Sequence, residues 1–212
     1  MKLNLKVIQP LLLIGLFSLQ SCSPIFNGIY GFKKLKTLTE DEIITTAVKF
    51  NIPLENCLVL DTNYKSLLKS FDTLTQAETV KNHYQPLQML YFNKDKKLIS
   101  FHANCYAGGF PNLKWDRTKS FSTFPPQTVA PLDSLFGYSM ILKYTHKLKP
   151  MAQNLNEQMV DEYVVLVFWN RFLGRQSKRM IALLQQNAAL AKDKNLKIIY
   201  INNDNFFVQN LD

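Results

Sequence analysis

Apolar and polar positions along the 212-residue chain fall into several distinct patterns. Residues 7–19 form an early, nearly unbroken apolar run, shorter than the roughly 20 residues a bilayer-spanning helix needs. The C-terminal part carries the strongest periodic signals. Tyr163, Val164, Val165, Leu166, Val167, Phe168 and Trp169 make a continuous β-branched and aromatic run, as in a strand covered on both faces. Residues 174–192 place Met180, Ile181, Leu184, Ala188 and Ala191 at helical spacing, and residues 195–201 form a second buried-strand run. Strand, helix and strand in this order predict a βαβ unit with parallel strands and a right-handed crossover.

The earlier part of the chain gives shorter elements. Thr39 followed by Glu42 three residues later reads as a capping box opening a helix with Ile43, Ala47, Val48 and Phe50 on its apolar stripe, which Pro53 stops. Residues 56–60 predict a buried strand, and Asp61-Thr62-Asn63 a turn into a helix through Leu67, Leu68 and Phe71. Residues 75–83 read as a polar stretch. Residues 85–92 and 97–102 predict two strands joined by a turn at 93–96, a β-hairpin. Residues 103–131 contain Gly108, Gly109, Pro111, Pro125 and Pro126 among Phe110, Trp115, Phe121 and Phe124. They predict a long loop pinned by its aromatics. A short helix over 131–136, a strand or helix over 138–144 and a connector over 147–150 complete the span.

The amino terminus resembles a bacterial lipoprotein signal. Lys2 and Lys6 form a positive region ahead of the apolar run, and Leu19-Gln20-Ser21-Cys22 ends it with a small residue before a cysteine. The resemblance implies cleavage before Cys22 and attachment of acyl chains to it. It divides the chain into a signal peptide (1–21), a membrane tether (22–38) containing Pro24, Gly28 and Gly31, and a single α/β domain (39–212). Phe26, Tyr30 and Phe32 either sit at the headgroup level or dock on the domain. The implied address is a cell envelope. Ser23 stands where the family's inner-membrane retention aspartate would be, which favours the outer membrane, facing the periplasm or the surface.

Charge and cysteine usage refine this picture. The formal net charge is +9, and the domain stays basic once the signal is removed. An exported protein rarely meets nucleic acid, so anionic lipid headgroups or acidic envelope polymers are the expected counter-charges, with plain solubility as the alternative. Besides Cys22 there are Cys57 and Cys105. In an oxidising compartment they permit a disulfide, while Cys57 within an apolar run also fits a small core hydrophobe. Cys105 follows a strand end and precedes two glycines, with His102 nearby as a base, a pattern open to thiol chemistry. His83, His102 and His146 lack metal-ligand spacing, and no phosphate loop, Gly-x-Gly-x-x-Gly or Gly-x-Ser-x-Gly motif occurs. No metal and no cofactor are expected.

Phe168-Trp169, the following turn, the helix and the strand ending before Asn202-Asn203-Asp204 resemble the opening half of thioredoxin-like proteins, especially membrane-attached thiol-disulfide oxidoreductases. The hairpin led by Pro86 resembles the family's proline-led hairpin, whose cis-proline faces the redox motif. Here the hairpin precedes the βαβ unit instead of following it, so either the order is permuted or one match is chance. The resemblance implies a thioredoxin-like mixed sheet flanked by helices. At the dithiol positions stand Leu173 and Gln176, neither of which forms a mixed disulfide, so the family's redox activity does not carry over. The expected function is a non-catalytic binding or assembly module with an envelope protein partner. The alternatives are thiol chemistry at Cys105, or carriage of a small anion at the turn formed by Phe172, Gly174, Arg175 and Gln176 opposite Pro86. Arg171, Lys178 and Arg179 add positive charge there, against the helix dipole.

Overall fold

The computed structural model describes residues 31–71, 74–148 and 161–210. The expected signal peptide, Cys22 and the expected tether as far as residue 30 lie outside the described residues. Helix α1 (Glu40–Lys49) starts at the capping box: Thr39 accepts from the Glu42 N–H while the Glu42 carboxylate accepts from the Thr39 N–H. Strand β1 (Cys57–Leu60) is buried throughout and leads into α2 (Tyr64–Lys69) and α3 (Ala77–His83). The hairpin of β2 (Gln88–Asn93) and β3 (Leu98–Ala103) closes through Asn93, whose side chain accepts from the Asp95 and Lys97 N–H groups. One helical turn, α4 (Asn104–Ala107), then opens the long loop. Helix α5 (Tyr138–Leu142) and strand β4 (Thr145–Lys147) follow it. The chain finishes with β5 (Tyr163–Trp169), α6 (Gly174–Ala188), β6 (Leu196–Asn202) and α7 (Asp204–Asn210).

Six strands form one mixed sheet in the order β3-β2-β5-β6-β1-β4. The central β5, β6 and β1 are parallel, and antiparallel strands flank them on both sides. The hairpin, although it comes first in the chain, pairs along β5, with Leu90 opposite Leu166. Strands β6-β5-β2-β3 therefore reproduce a thioredoxin-like arrangement in permuted order, and β1 and β4 extend it.

Side chains alternate across the sheet and fill two cores. Val165, Val167, Trp169, Met89, Tyr91 and Tyr200 face α1, α6 and the loop aromatics Trp115 and Phe121. Leu166, Phe168, Leu90, Phe92, Ile199 and Ile201 face α2, α5 and α7. Burial of each such side chain contributes roughly 1.5–3 kcal/mol, which is why the central strands need apolar residues on both faces.

Several expectations are corrected. Residues 77–83 form a helix rather than a polar stretch, because Asn82 and His83 are buried beneath the hairpin end. No helix forms over 131–136. Asp133 instead accepts from the Leu135 and Phe136 N–H groups and locks a turn. Residues 145–147 are an edge strand on β1 where a connector was expected nearby. Val48 is exposed and does not belong to the α1 apolar stripe. Among the described residues no helix is long and apolar enough to cross a membrane.

Candidate functional site

In open α/β sheets ligands gather outside the carboxyl ends of the parallel strands, here the turn after β5 and the residues after β6. Both strands end directly in amides, and these amides fill the crevice. Asn170 donates to the Pro86 carbonyl at 3.0 Å and to Asn203 at 3.1 Å, and its own oxygen accepts from the Leu173 N–H at 2.9 Å. Asn203 donates to the same Pro86 carbonyl at 2.9 Å. Asp204 receives the Arg171 N–H at 2.6 Å, the Phe172 N–H at 3.2 Å and the Asn202 amide at 2.9 Å. Burial pushes the Asp204 carboxyl up, against these donors. Ser177 bridges the Asn170 carbonyl and N–H. Asn170, Ser177, Asn202, Asn203 and Asp204 are all buried, so the turn is fixed by interlocked hydrogen bonds and leaves no crevice.

The sequence-derived site residues are distributed around this network. Pro86 does meet the turn, but through its carbonyl and at Asn170. Its peptide bond is not cis; the cis bonds among the described residues precede Pro111 and Pro125. Gln176 is buried and turned away from any ligand. It donates to the Pro111 carbonyl at 2.6 Å and accepts from the Leu113 N–H at 3.2 Å, tying the long loop to α6. Leu173 packs against the core. The Phe172 carbonyl accepts from the Lys33 N–H at 2.8 Å. Gly174 sits under Phe50, and Arg175 lies against Gly31, where a Cβ would come within 2.7 Å of the Arg175 Cβ. Gly31 also has φ +70°, a conformation glycine adopts without cost. The end of the predicted tether is thus packed across the turn that an anion was expected to approach.

Cys57 and Cys105 are both free thiols and do not form the anticipated disulfide. Cys57 begins β1 and Cys105 follows β3, four strands apart in the sheet. At about 4.8 Å per strand this is roughly 19 Å, far beyond the Cα separation a disulfide tolerates. Burial pushes the Cys57 thiol up to about 12. Cys105 is exposed at the surface, yet partial burial still raises its thiol. His102 does not assist it. Its ring lies in the core against Phe121 at 4.5 Å, with Nε2 3.2 Å from the Ser100 hydroxyl, and burial lowers its pKa to about 4.

Among the described residues two other concave features stand out. One is a narrow crevice lined by Tyr64, His83, Gln88, Phe168 and Phe206, with no room for a water molecule. It leaves the Tyr64 hydroxyl, His83 Nδ1 and Gln88 Oε1 without partners. The other is an open groove of about 310 Å³ between α1 and the β5–α6 turn, lined by Lys33, Lys49, Arg171, Asp41, Glu42, Thr45, Thr46 and Phe50. The hydrogen bond from Lys36, then the Thr39 N–H, hold the Glu42 carboxyl low. The groove therefore presents three cations and two carboxylates beside hydroxyl groups. No cluster of metal ligands occurs among the described residues.

Sequence reasoning singled out Arg171 but not the Asn170, Asn203 and Asp204 network. The available signal was the run of amides placed at the ends of two parallel strands. The groove had no such signal, because Lys33, Lys49 and Arg171 meet only through tertiary packing. Compared with protein-family models, curated protein sequences and solved structures, the chain matches none of them.

Proposed function

We propose that the chain is a lipid-anchored protein of the cell envelope, attached through acyl chains on Cys22, in which a thioredoxin-like scaffold serves as a non-catalytic binding or assembly module with an envelope protein partner. The observation that carries this reading is the state of the dithiol positions. Leu173 packs against the core and Gln176 is committed to holding the Pro111 loop, so both positions serve architecture. Thiol chemistry at Cys105 has little support: its thiol is raised, and His102 is bonded elsewhere. The outer membrane is the favoured destination, on the strength of Ser23.

The groove beside Arg171 supports a second reading, carriage of a small anion. Lys33, Lys49 and Arg171 supply the counter-charge, and Asp41 and Glu42 at the same walls select a ligand that also bears a positive or hydrogen-donating group.

Intact mass and cell fractionation test the first reading together. A mature mass beginning at Cys22 with acyl chains attached, and release of Cys22→Ala into the soluble fraction, are the expected results. Retention of Cys22→Ala on membranes would overturn the anchor. Catalysed insulin reduction by the wild-type protein would overturn the non-catalytic assignment.

A further inference from the structure

Three observations converge on one end of the domain, where β5 and β6 finish. The first is where the described chain begins. Gly31 is seated against Arg175, and the Lys33 N–H bonds the Phe172 carbonyl, so the segment leading back to Cys22 leaves from this end. The second is charge. Lys33, Lys34, Arg175, Lys178 and Arg179 are exposed around that exit. Of the acids at this end, Asp41 and Glu42 stand on the groove wall, Glu42 paired with Lys36, and Asp204 is buried on the Arg171 and Phe172 N–H groups. The third is an aromatic pair, one ring exposed and the other half-buried. Phe110, 76% exposed, projects from the long loop and stacks on Phe32 with ring centroids 5.8 Å apart.

We infer that this end of the domain is a membrane-contact face that lies against an anionic lipid bilayer, with Phe110 and Phe32 at the headgroup level and the surrounding Lys and Arg side chains on lipid phosphates. The inference rests on the Cys22 anchor proposed above. Eight residues lie between Cys22 and Gly31, and the nine Cα-to-Cα steps have a maximum reach of about 30 Å. A domain of this size is roughly 40 Å across, so the span is too short to carry its exit around to a domain facing the other way. Within that reach, basic side chains fall inside the field of an anionic surface and aromatic rings find the interface they favour. The packed turn then has a reason to be closed: the end at which related scaffolds expose a reactive site is here the side turned to the lipid.

Tryptophan reporters test this with the full, processed protein reconstituted into vesicles of phosphatidylcholine, with or without phosphatidylglycerol, containing brominated lipid. Native Trp115 and Trp169 are buried and give the background. F110W places a reporter at the proposed face, and L190W places one at the exposed far end of α6. The expected result is quenching of the F110W signal several-fold stronger than that of L190W in phosphatidylglycerol vesicles, weakened by salt and by reversing Lys33, Arg175, Lys178 and Arg179 to glutamate. Equal quenching of the two reporters, or quenching indifferent to phosphatidylglycerol and to the reversals, would overturn the face while leaving the anchor intact. Intact mass on the same sample reads the anchor separately: a chain without acyl groups overturns both.

Discussion

The turn after β5 and the corner after β3 face each other across the Pro86 strand entry, and they are built on opposite terms. At the turn, Asn170, Asn203 and Asp204 satisfy one another and the backbone, and all three side chains are withdrawn from solvent. At the corner, Cys105 is exposed beside Gly108 and Gly109, but partial burial raises its thiol by more than the Cys105 and Tyr106 N–H groups and the Lys81 charge lower it. Reactivity needs access and activation at one place. This molecule separates them, giving the turn order without access and the corner access without activation.

The contrast is broken most severely at Asn170. Replacing it with alanine strands the Pro86 carbonyl's partner network and the Leu173 N–H in a buried site, and a loss of about 3 kcal/mol in urea unfolding is expected. Gln176→Ala removes two of the bonds that tie the long loop to α6, those at its Pro111 and Leu113 end, leaving the Asn187 bonds to the Phe121 and Thr123 carbonyls. It should cost about 2 kcal/mol and expose residues 108–126 to limited proteolysis, which the wild-type protein resists.

On the corner side, α3 is held by Asp133, whose carboxylate lies 2.8 Å from His83 Nε2. Burial alone would raise the Asp133 carboxyl, but the His83 ring and the Leu135 and Phe136 N–H groups hold it below its ordinary value of 3.8. A lowered carboxyl contributes stability above its unfolded pKa and loses it as pH falls through the folded one. Unfolding followed against pH should therefore show an acid limb that Asp133→Asn lacks. Asp204 has the opposite sign: raised by burial, its contribution is present below 3.8 and declines as pH rises through its folded value. The smallest effect belongs to the exposed thiol. Cys105→Ser should change stability by less than about 0.5 kcal/mol. Iodoacetamide should modify Cys105 no faster than an unstructured cysteine, and equally in His102→Gln; acceleration by His102 would join access to activation and dissolve the contrast.

Particular residues explain what was legible beforehand. The runs 163–169 and 195–201 declare their strands because both faces are buried, and Thr39 with Glu42 declares a helix start through local bonds alone. The hairpin's place beside β5 was only suggested, since pairing depends on register across some 70 intervening residues and carries no local mark. Helix 77–83 escaped notice because its buried face holds Asn82 and His83, whose burial follows from partners at Tyr106 and Asp133. Gln176 was read as a ligand contact because its position in a resembling motif is visible in sequence, whereas the Pro111 carbonyl it holds lies 65 residues away. The disulfide expectation failed on distance, which an even cysteine count does not contain.

Leu38 and Asn205 clasp each other through both backbone groups of Leu38, at 2.7 Å and 3.0 Å, across 167 positions of sequence. A ribosome makes the first of these residues well before the second. The segment around Leu38 therefore has no seat until α7 has emerged, and a product truncated before β6 would lack both the central parallel pair and the clasp. Leu38 can be fastened only once α7 exists, so the seat of a segment made early is supplied by one made 167 positions later.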